Sequence, residues 1–169
     1  MTFKIVKYGD PILEKPCQPV TDFGPELQEL VDGMFETMWA AKGVGLAAPQ
    51  VGVSQQLTVI DCSAGEIEDE RIVLVNPEIV FKEGTQVGEE GCLSIPGFRE
   101  DVSRAMKATV RARDRHGNPI EITGEELLAR AMQHEIDHLN GILFLNHLSP
   151  LKRDLIRRKI KKLIKAGEW

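Results

Sequence analysis

One helix limits what this chain can become. The stretch AMQHEIDHLNG, residues 131–141, sets His134 and His138 four apart, with Glu135 beside the first. On a helix this spacing puts both imidazoles on one face, roughly 6 Å apart at Cβ, so that they can reach a single ion. The helix is expected to start at a capping box, Thr123 with Glu126 three residues on, and to run to Asn140 before Gly141 ends it. H-E-x-x-H in that setting is the pattern for two metal ligands and a glutamate general base, although it also arises by accident on solvated helices. A catalytic metal needs a third protein ligand and an open position. The longer form of the motif would place a histidine at position 144, where this chain has Phe144. Downstream, His147 follows the helix too closely, and Asp154 and Glu168 belong to a charged segment. The third ligand should therefore lie upstream.

The rest of the chain has to enclose that helix. Pro25 suits a first helical position, and Leu27, Leu30, Val31, Met34 and Met38 make one apolar stripe, which predicts a helix from Pro25 to about Ala41. Strand-like runs follow: LTVID (57–61), RIVLV (71–75), EIVF (78–81) and KATVRARD (107–114). Asp69 to Arg71 and HGN at 116–118 read as surface turns, and beyond ILFLNHL a last helix should run from Ser149-Pro150 to about Ala166. With no repeat, low-complexity tract or linker, residues 1–169 read as one compact α+β domain. Mixed or antiparallel sheets are expected around the central histidine-bearing helix, with a helix toward each end of the chain. No apolar run approaches the ~20 residues that span a bilayer. The N-terminus, MTFKIVKYGDP, has neither a secretory apolar region nor a transit-peptide composition. Cys17, Cys62 and Cys92 are odd in number and widely spaced, which predicts a reducing compartment, the cytoplasm.

Two upstream stretches stand out. In GEEGCLSIPG (88–97), glycines at 88, 91 and 97 surround Cys92, and glycine lets a backbone approach a site closely. A lone buried cysteine is nonetheless usually inert packing, and Cys17 and Cys62 read that way. The stretch KGVGLAAPQVG (42–52) is no phosphate cradle, because no Lys-Ser/Thr follows its glycines. Alone it reads as a tight turn packed beneath a sheet, with Gln50 as its one group carrying two amide donors.

Taken together, GVGLAAPQ, EGCLS and HEIDH, in that order, resemble the three signature motifs of the peptide deformylases, and GDPIL near the N-terminus and LVNP (74–77) extend the likeness over nearly the whole chain. The resemblance implies a hydrolase that removes the formyl group from the N-terminal formylmethionine of newly made proteins. It implies Cys92, His134 and His138 as ligands of one divalent metal, with water as the fourth. The usual ion is Fe2+, for which Ni2+, Co2+ or Zn2+ substitute. Glu135 then serves as general base and acid, while the Gln50 side-chain amide and the Leu93 backbone N–H donate to the oxyanion. The physics agrees: a metal acidifies water and polarises a carbonyl, a carboxylate moves the proton, and fixed donors stabilise developing charge.

Gly45 is expected to pair with the substrate backbone. Leu127 and Ala131 share a helix face with the two histidines. With Val44 and Leu93 they either wall a slot for the methionine side chain or are plain core. Arg99 either contacts the peptide or orders its loop. Two other readings stay open: a small metallohydrolase acting on unformylated peptides, and a ribosome-associated factor with a structural metal closed by four protein ligands.

The net charge of −5 is unevenly divided. Residues 151–169 hold eight Lys/Arg against Asp154 and Glu168, a surplus of six, which leaves the first 150 residues at −11. Leu151, Leu155, Ile156, Ile160, Leu163 and Ile164 form an apolar stripe that leaves the basic side chains outward. This helix, about 150–166, is expected either to dock on the domain with a solvated cationic face or to meet ribosomal RNA, as members of the resembled family with such a helix are thought to do. Its poor aromatic content argues against a membrane surface. No DNA and no membrane partner are expected, and the chain is expected to be a monomer.

Overall fold

In the computed structural model, which describes residues 1–169, seven strands and three helices form the frame. The strands are β1 (Gly45–Ala47), β2 (Leu57–Asp61), β3 (Arg71–Glu83), β4 (Gln86–Cys92), β5 (Ile95–Arg104), β6 (Lys107–Arg113) and β7 (Pro119–Glu125). The helices are α1 (Pro25–Ala40), α2 (Glu126–Leu139) and α3 (Pro150–Lys165). Five strands build one sheet in the order β1-β2-β3-β6-β7, and β4 and β5 pair with each other as a separate hairpin. All pairings between these strands are antiparallel. The class is α+β, as expected.

Strand β2 is buried along its whole length, and its alternation shows how the layers stack. Leu57 and Val59 join Leu27, Val31, Met34 and Met38 of α1 in one apolar cluster. Ile60, with Leu74, Ala108 and Val110, joins Ala129, Ala131, Met132 and Ile136 of α2 in another. Successive strand residues point to opposite faces, so the sheet is packed between α1 and α2. A third cluster lies under the hairpin, where Ile95 and Val102 meet Leu143, Phe144, Leu145, Ile156 and Ile160. Removing this apolar surface from water is the main force that holds α2 in the middle.

Several boundaries differ from expectation. Thr123 does not cap α2. It lies in β7, where its hydroxyl meets that of Thr109 across the strands at 2.8 Å, while Ile120 and Ile122 pack toward the α2 cluster. The strand runs on to Glu125, and Glu126 starts the helix with a positive φ of 53°, its N–H donating to Met106 O. The runs at 71–75 and 78–81 form one strand, bent where Asn76 adopts φ 51° and the register shifts. The Asn76 side chain bonds both Val20 N–H and Val20 O, which holds the bend. Helix α3 starts as expected, with the Ser149 hydroxyl accepting from Lys152 N–H. Its apolar stripe is narrower than predicted: Ile156 and Ile160 are buried, whereas Leu151, Leu155 and Ile164 are 71%, 46% and 50% exposed.

Candidate metal centre

Helix α2 crosses beneath the tip of the β4–β5 hairpin, and there three donor atoms converge. His134 Nε2 and His138 Nε2 lie 3.2 Å apart, and Cys92 Sγ is 3.3 Å from His138 Nε2. One ligand atom from each of Cys92, His134 and His138 falls within 4.8 Å of the others. The donor set fits a transition metal or zinc, because M–N of about 2.05 Å and M–S of about 2.3 Å in a tetrahedron give donor–donor edges of about 3.4–3.6 Å. Three donors, not the four of a closed structural site, make up the group.

The orientation of His134 comes from behind. Its Nδ1 lies 2.6 Å from Glu90 Oε1, an arrangement that fixes the proton on Nδ1 and leaves the Nε2 lone pair facing the group. Glu90 is held in turn by Arg104, through Nε and Nη2 at 2.9 and 2.8 Å, and by Arg130 Nη1 at 2.5 Å. Arg104 also donates to Asp137 at 2.6 Å, and His147 Nε2 lies 2.8 Å from the same carboxylate oxygen. His147 thus belongs to this outer network and is not part of the Cys92, His134 and His138 group. Burial works against the Glu90 carboxylate, yet Arg104 and His134 outweigh it and hold its pKa well below the usual range. Burial disfavours a charged His134, but Glu135, Cys92 and Glu90 raise its pKa; burial and the neighbouring His134 lower that of His138.

Glu135 is buried, its Oε2 4.0 Å from His134 Nε2 and its Oε1 without a protein partner. Burial pushes its carboxyl up to about 7, against the pull of His134. A Cβ on Gly45 would stand 2.5 Å from Glu135 Oε2, so this position requires glycine for the carboxylate to fit. Gln50 is buried with its Oε1 accepting from Ala47 N–H at 2.9 Å, which turns Nε2 toward Ser94 Oγ (3.1 Å) and Cys92 Sγ (3.5 Å). Leu93 occupies the two-residue turn after Cys92.

A cavity of about 640 Å³ opens onto this group. Val44, Gly45, Gln50, Cys92, Leu93, Arg99, Leu127, Ala131, His134 and Glu135 all line it, while His138 lies beneath and is absent from its wall. Of the residues weighed as pocket or core, Ala131 is buried and Leu127 is 48% exposed. Arg99, at the rim, is paired with Glu89 at 2.6 Å. Edge strand β1 contributes main chain: Asp61 N–H donates to Val44 O, so by the alternation of antiparallel ladders the N–H and C=O of Gly45 face away from β2. Sequence reasoning missed Glu90, Arg104, Arg130, Asp137, Lys42 and Phe98. Glu90 had one usable signal. In β4 it shares the inward face with Gln86 and Gly88, a period of two that shows once the segment is read as a strand.

Such a frame, with a Cys-His-His group beside a buried carboxylate in an open cavity, has the parts of a metal-dependent hydrolase. A family model described as polypeptide deformylase matches residues 2–154. The peptide deformylase of Acidobacterium capsulatum is 61% identical over 165 residues, covering 98% of this chain and 97% of that protein; that of Thermodesulfovibrio yellowstonii is 51% identical, covering 94% and 96%. The crystal structure of a peptide deformylase from Legionella pneumophila superposes with a TM-score of 0.92 at 53% identity, covering 99% of this chain and 98% of that one. The chain belongs to the peptide deformylase family, metal-dependent hydrolases that remove N-terminal formyl groups.

Removing the Glu90 carboxylate would leave buried Arg130 without a carboxylate partner and Arg104 with Asp137 alone. Glu90→Ala should therefore lower unfolding free energy by about 3–5 kcal/mol. It should also weaken divalent-metal binding about 10- to 100-fold, because His134 loses its hold. Urea denaturation and metal titration of the variant read the two effects separately.

Proposed function

We propose that the cavity receives an N-formylmethionyl peptide and that Cys92, His134 and His138 hold one divalent ion there, Fe2+, with Ni2+, Co2+ or Zn2+ able to replace it. The observation that carries this reading is the convergence of those three donors, within 4.8 Å of one another, beside Glu135 and Gln50 on one cavity. When bound, the ion supplies a Lewis acid that acidifies water and polarises the formyl oxygen. Glu135 takes the proton from the attacking water and later gives it to the departing amine. Gln50 Nε2 and Leu93 N–H donate to the oxyanion as the tetrahedral intermediate forms, and one such donor is typically worth about 3 kcal/mol. Gly45 pairs with the peptide main chain through the N–H and C=O that its strand leaves free. Val44, Leu93, Leu127 and Ala131 wall the slot for the methionine side chain, and Arg99 orders the rim through Glu89. The test is release of formate from formyl-Met-Ala-Ser, measured beside hydrolysis of the same peptide without its formyl group; activity on the unformylated peptide alone would overturn the reading.

Cys92→Ala should lose its metal by elemental analysis. Glu135→Gln should keep both metal and fold, and should lose at least about 10²-fold in turnover, because an amide cannot accept the proton. A Glu135→Gln variant that retains a tenth of the wild-type rate is incompatible with the proton-transfer role.

An accessible thiolate and Fe2+ both oxidise. The iron-loaded enzyme should accordingly lose activity in air faster than the nickel-loaded one, a comparison made by timed assays on the two forms; equal decay would count against iron held by a thiolate.

We further place the enzyme in the cytoplasm as a monomer, a setting supported by its three unpaired cysteines and by a site built within one chain. The cationic face of α3 is assigned to ribosomal RNA. Its exposed basic side chains would give weak, salt-sensitive binding and faster encounter with nascent chains. Full-length protein should co-sediment with ribosomes at low salt and dissociate as salt rises from about 50 to 200 mM, the range in which phosphate contacts weaken steeply. Truncation after Pro150, in protein that stays folded, should abolish co-sedimentation and spare kcat on a short formyl peptide.

A further inference from the structure

Phe98 stands on the cavity wall without the ladder that supports the rest of its strand. Along the hairpin, Gly91 faces Arg99, and the very next residue, Cys92, faces Ile95. Pro96, Gly97 and Phe98 are therefore three residues of β5 that β4 does not match, and Pro96 has no N–H to offer a partner. Pro96 and Gly97 are exposed. Part of the support for Phe98 comes from beyond α3. Gly167, at φ 70°, turns the chain back, with its N–H and that of Glu168 donating to Ile164 O and Leu163 O. Trp169 is thereby laid against the N-terminal segment. Its Nε1 donates to Tyr8 O at 2.8 Å, and its main-chain oxygen accepts from Lys7 Nζ at 2.6 Å. Held at both ends, the indole meets the Phe98 ring edge-on, with centroids 6.2 Å apart and planes at 60°. Both rings pack on the cluster that also receives Cys92.

We infer that Trp169 is a positioning residue for the substrate cavity: it backs the unmatched Pro96–Phe98 segment and so fixes where that wall stands. The inference rests on reading the cavity as the formyl-peptide site. Trp169 touches neither the three metal-binding candidates nor Glu135 by any hydrogen bond, so its loss should act on peptide binding and leave the chemical step alone. Without the indole, Phe98 samples positions that narrow or widen the cavity, and the peptide has to select the open arrangement.

The experiment uses the full chain loaded with metal and formyl-Met-Ala-Ser as the probe. Trp169→Ala should raise KM roughly two- to tenfold, the range that corresponds to one aromatic pair, with kcat and metal content unchanged. Trp169→Phe, which keeps a ring there, should recover most of the loss. Phe98→Ala should raise KM as well, and adding Trp169→Ala to it should change nothing further, since the two act through one contact. The chain has two tryptophans; in a Trp39→Phe background the emission of Trp169 should shift when the product peptide Met-Ala-Ser is titrated in. Wild-type KM in Trp169→Ala, losses that add to those of Phe98→Ala, a fall in kcat in place of a rise in KM, or emission blind to the peptide would each overturn the inference. Wild-type protein that releases no formate would instead overturn the reading of the site on which it rests.

Discussion

The buried Glu90 carboxylate accepts hydrogen bonds from two guanidinium groups and lies 2.6 Å from an imidazole. Such a network is costly to bury, and it persists only because its charges cancel and its geometry is tight. Glu90 and Asp137 balance Arg104 and Arg130. Arg130 comes from α2, Glu90 from β4 and Arg104 from β5, so one set of contacts staples the hairpin to the helix. Cys92 rides on the hairpin and the two histidines ride on the helix. The distance between thiol and imidazoles is consequently set by an ion network one layer behind them.

A second set of contacts fixes the remaining site groups. The N-terminal segment runs past both loops of the cavity: Val6 N–H donates to Gln50 O at 2.7 Å, and Tyr8 N–H to Ser94 O at 2.8 Å. Ser94 also receives Gln50 Nε2, which closes a small circuit of main chain and side chain around that amide. The Gln50 amide cannot turn over without breaking the bond at its oxygen and the bond at its nitrogen. A donor aimed in advance spends no free energy on reorganising when charge develops, which is the physical basis of oxyanion stabilisation.

How much of this was legible in the sequence depended on whether local pattern and tertiary role coincided. Helix α1 and strand β2 could be read closely, because Pro25 and a 3.6-residue stripe, or a run of β-branched residues, serve packing directly. The hairpin strands could not: QVGEEGC and IPGFREDVSR are rich in Gly, Pro and charge because they serve the site, and site chemistry hides strand propensity. Thr123 misled for a related reason, since a capping-box spacing has no force where the residue is already committed to a cross-strand pair. The residues assigned to metal and proton transfer were visible as motifs. Glu90, Arg104 and Arg130 were not, since nothing in a sequence announces which carboxylate and which guanidinium will be buried together.

The free edge of β1 has a consequence for how broadly the enzyme acts. An exposed sheet edge invites association with any extended chain, and proteins commonly keep such edges short. Here the strand is three residues long and only Gly45, at its start, opens to the cavity, since Leu46 and Ala47 are buried and Ala47 N–H donates to Gln50. On the proposed reading, a peptide that joined it would be held by amide groups that every amino acid possesses, and side chains beyond the first residue would contribute little to recognition. Such indifference suits a catalyst that meets nascent chains of every sequence. So short a contact would also limit any single chain's hold and would favour release of the processed end.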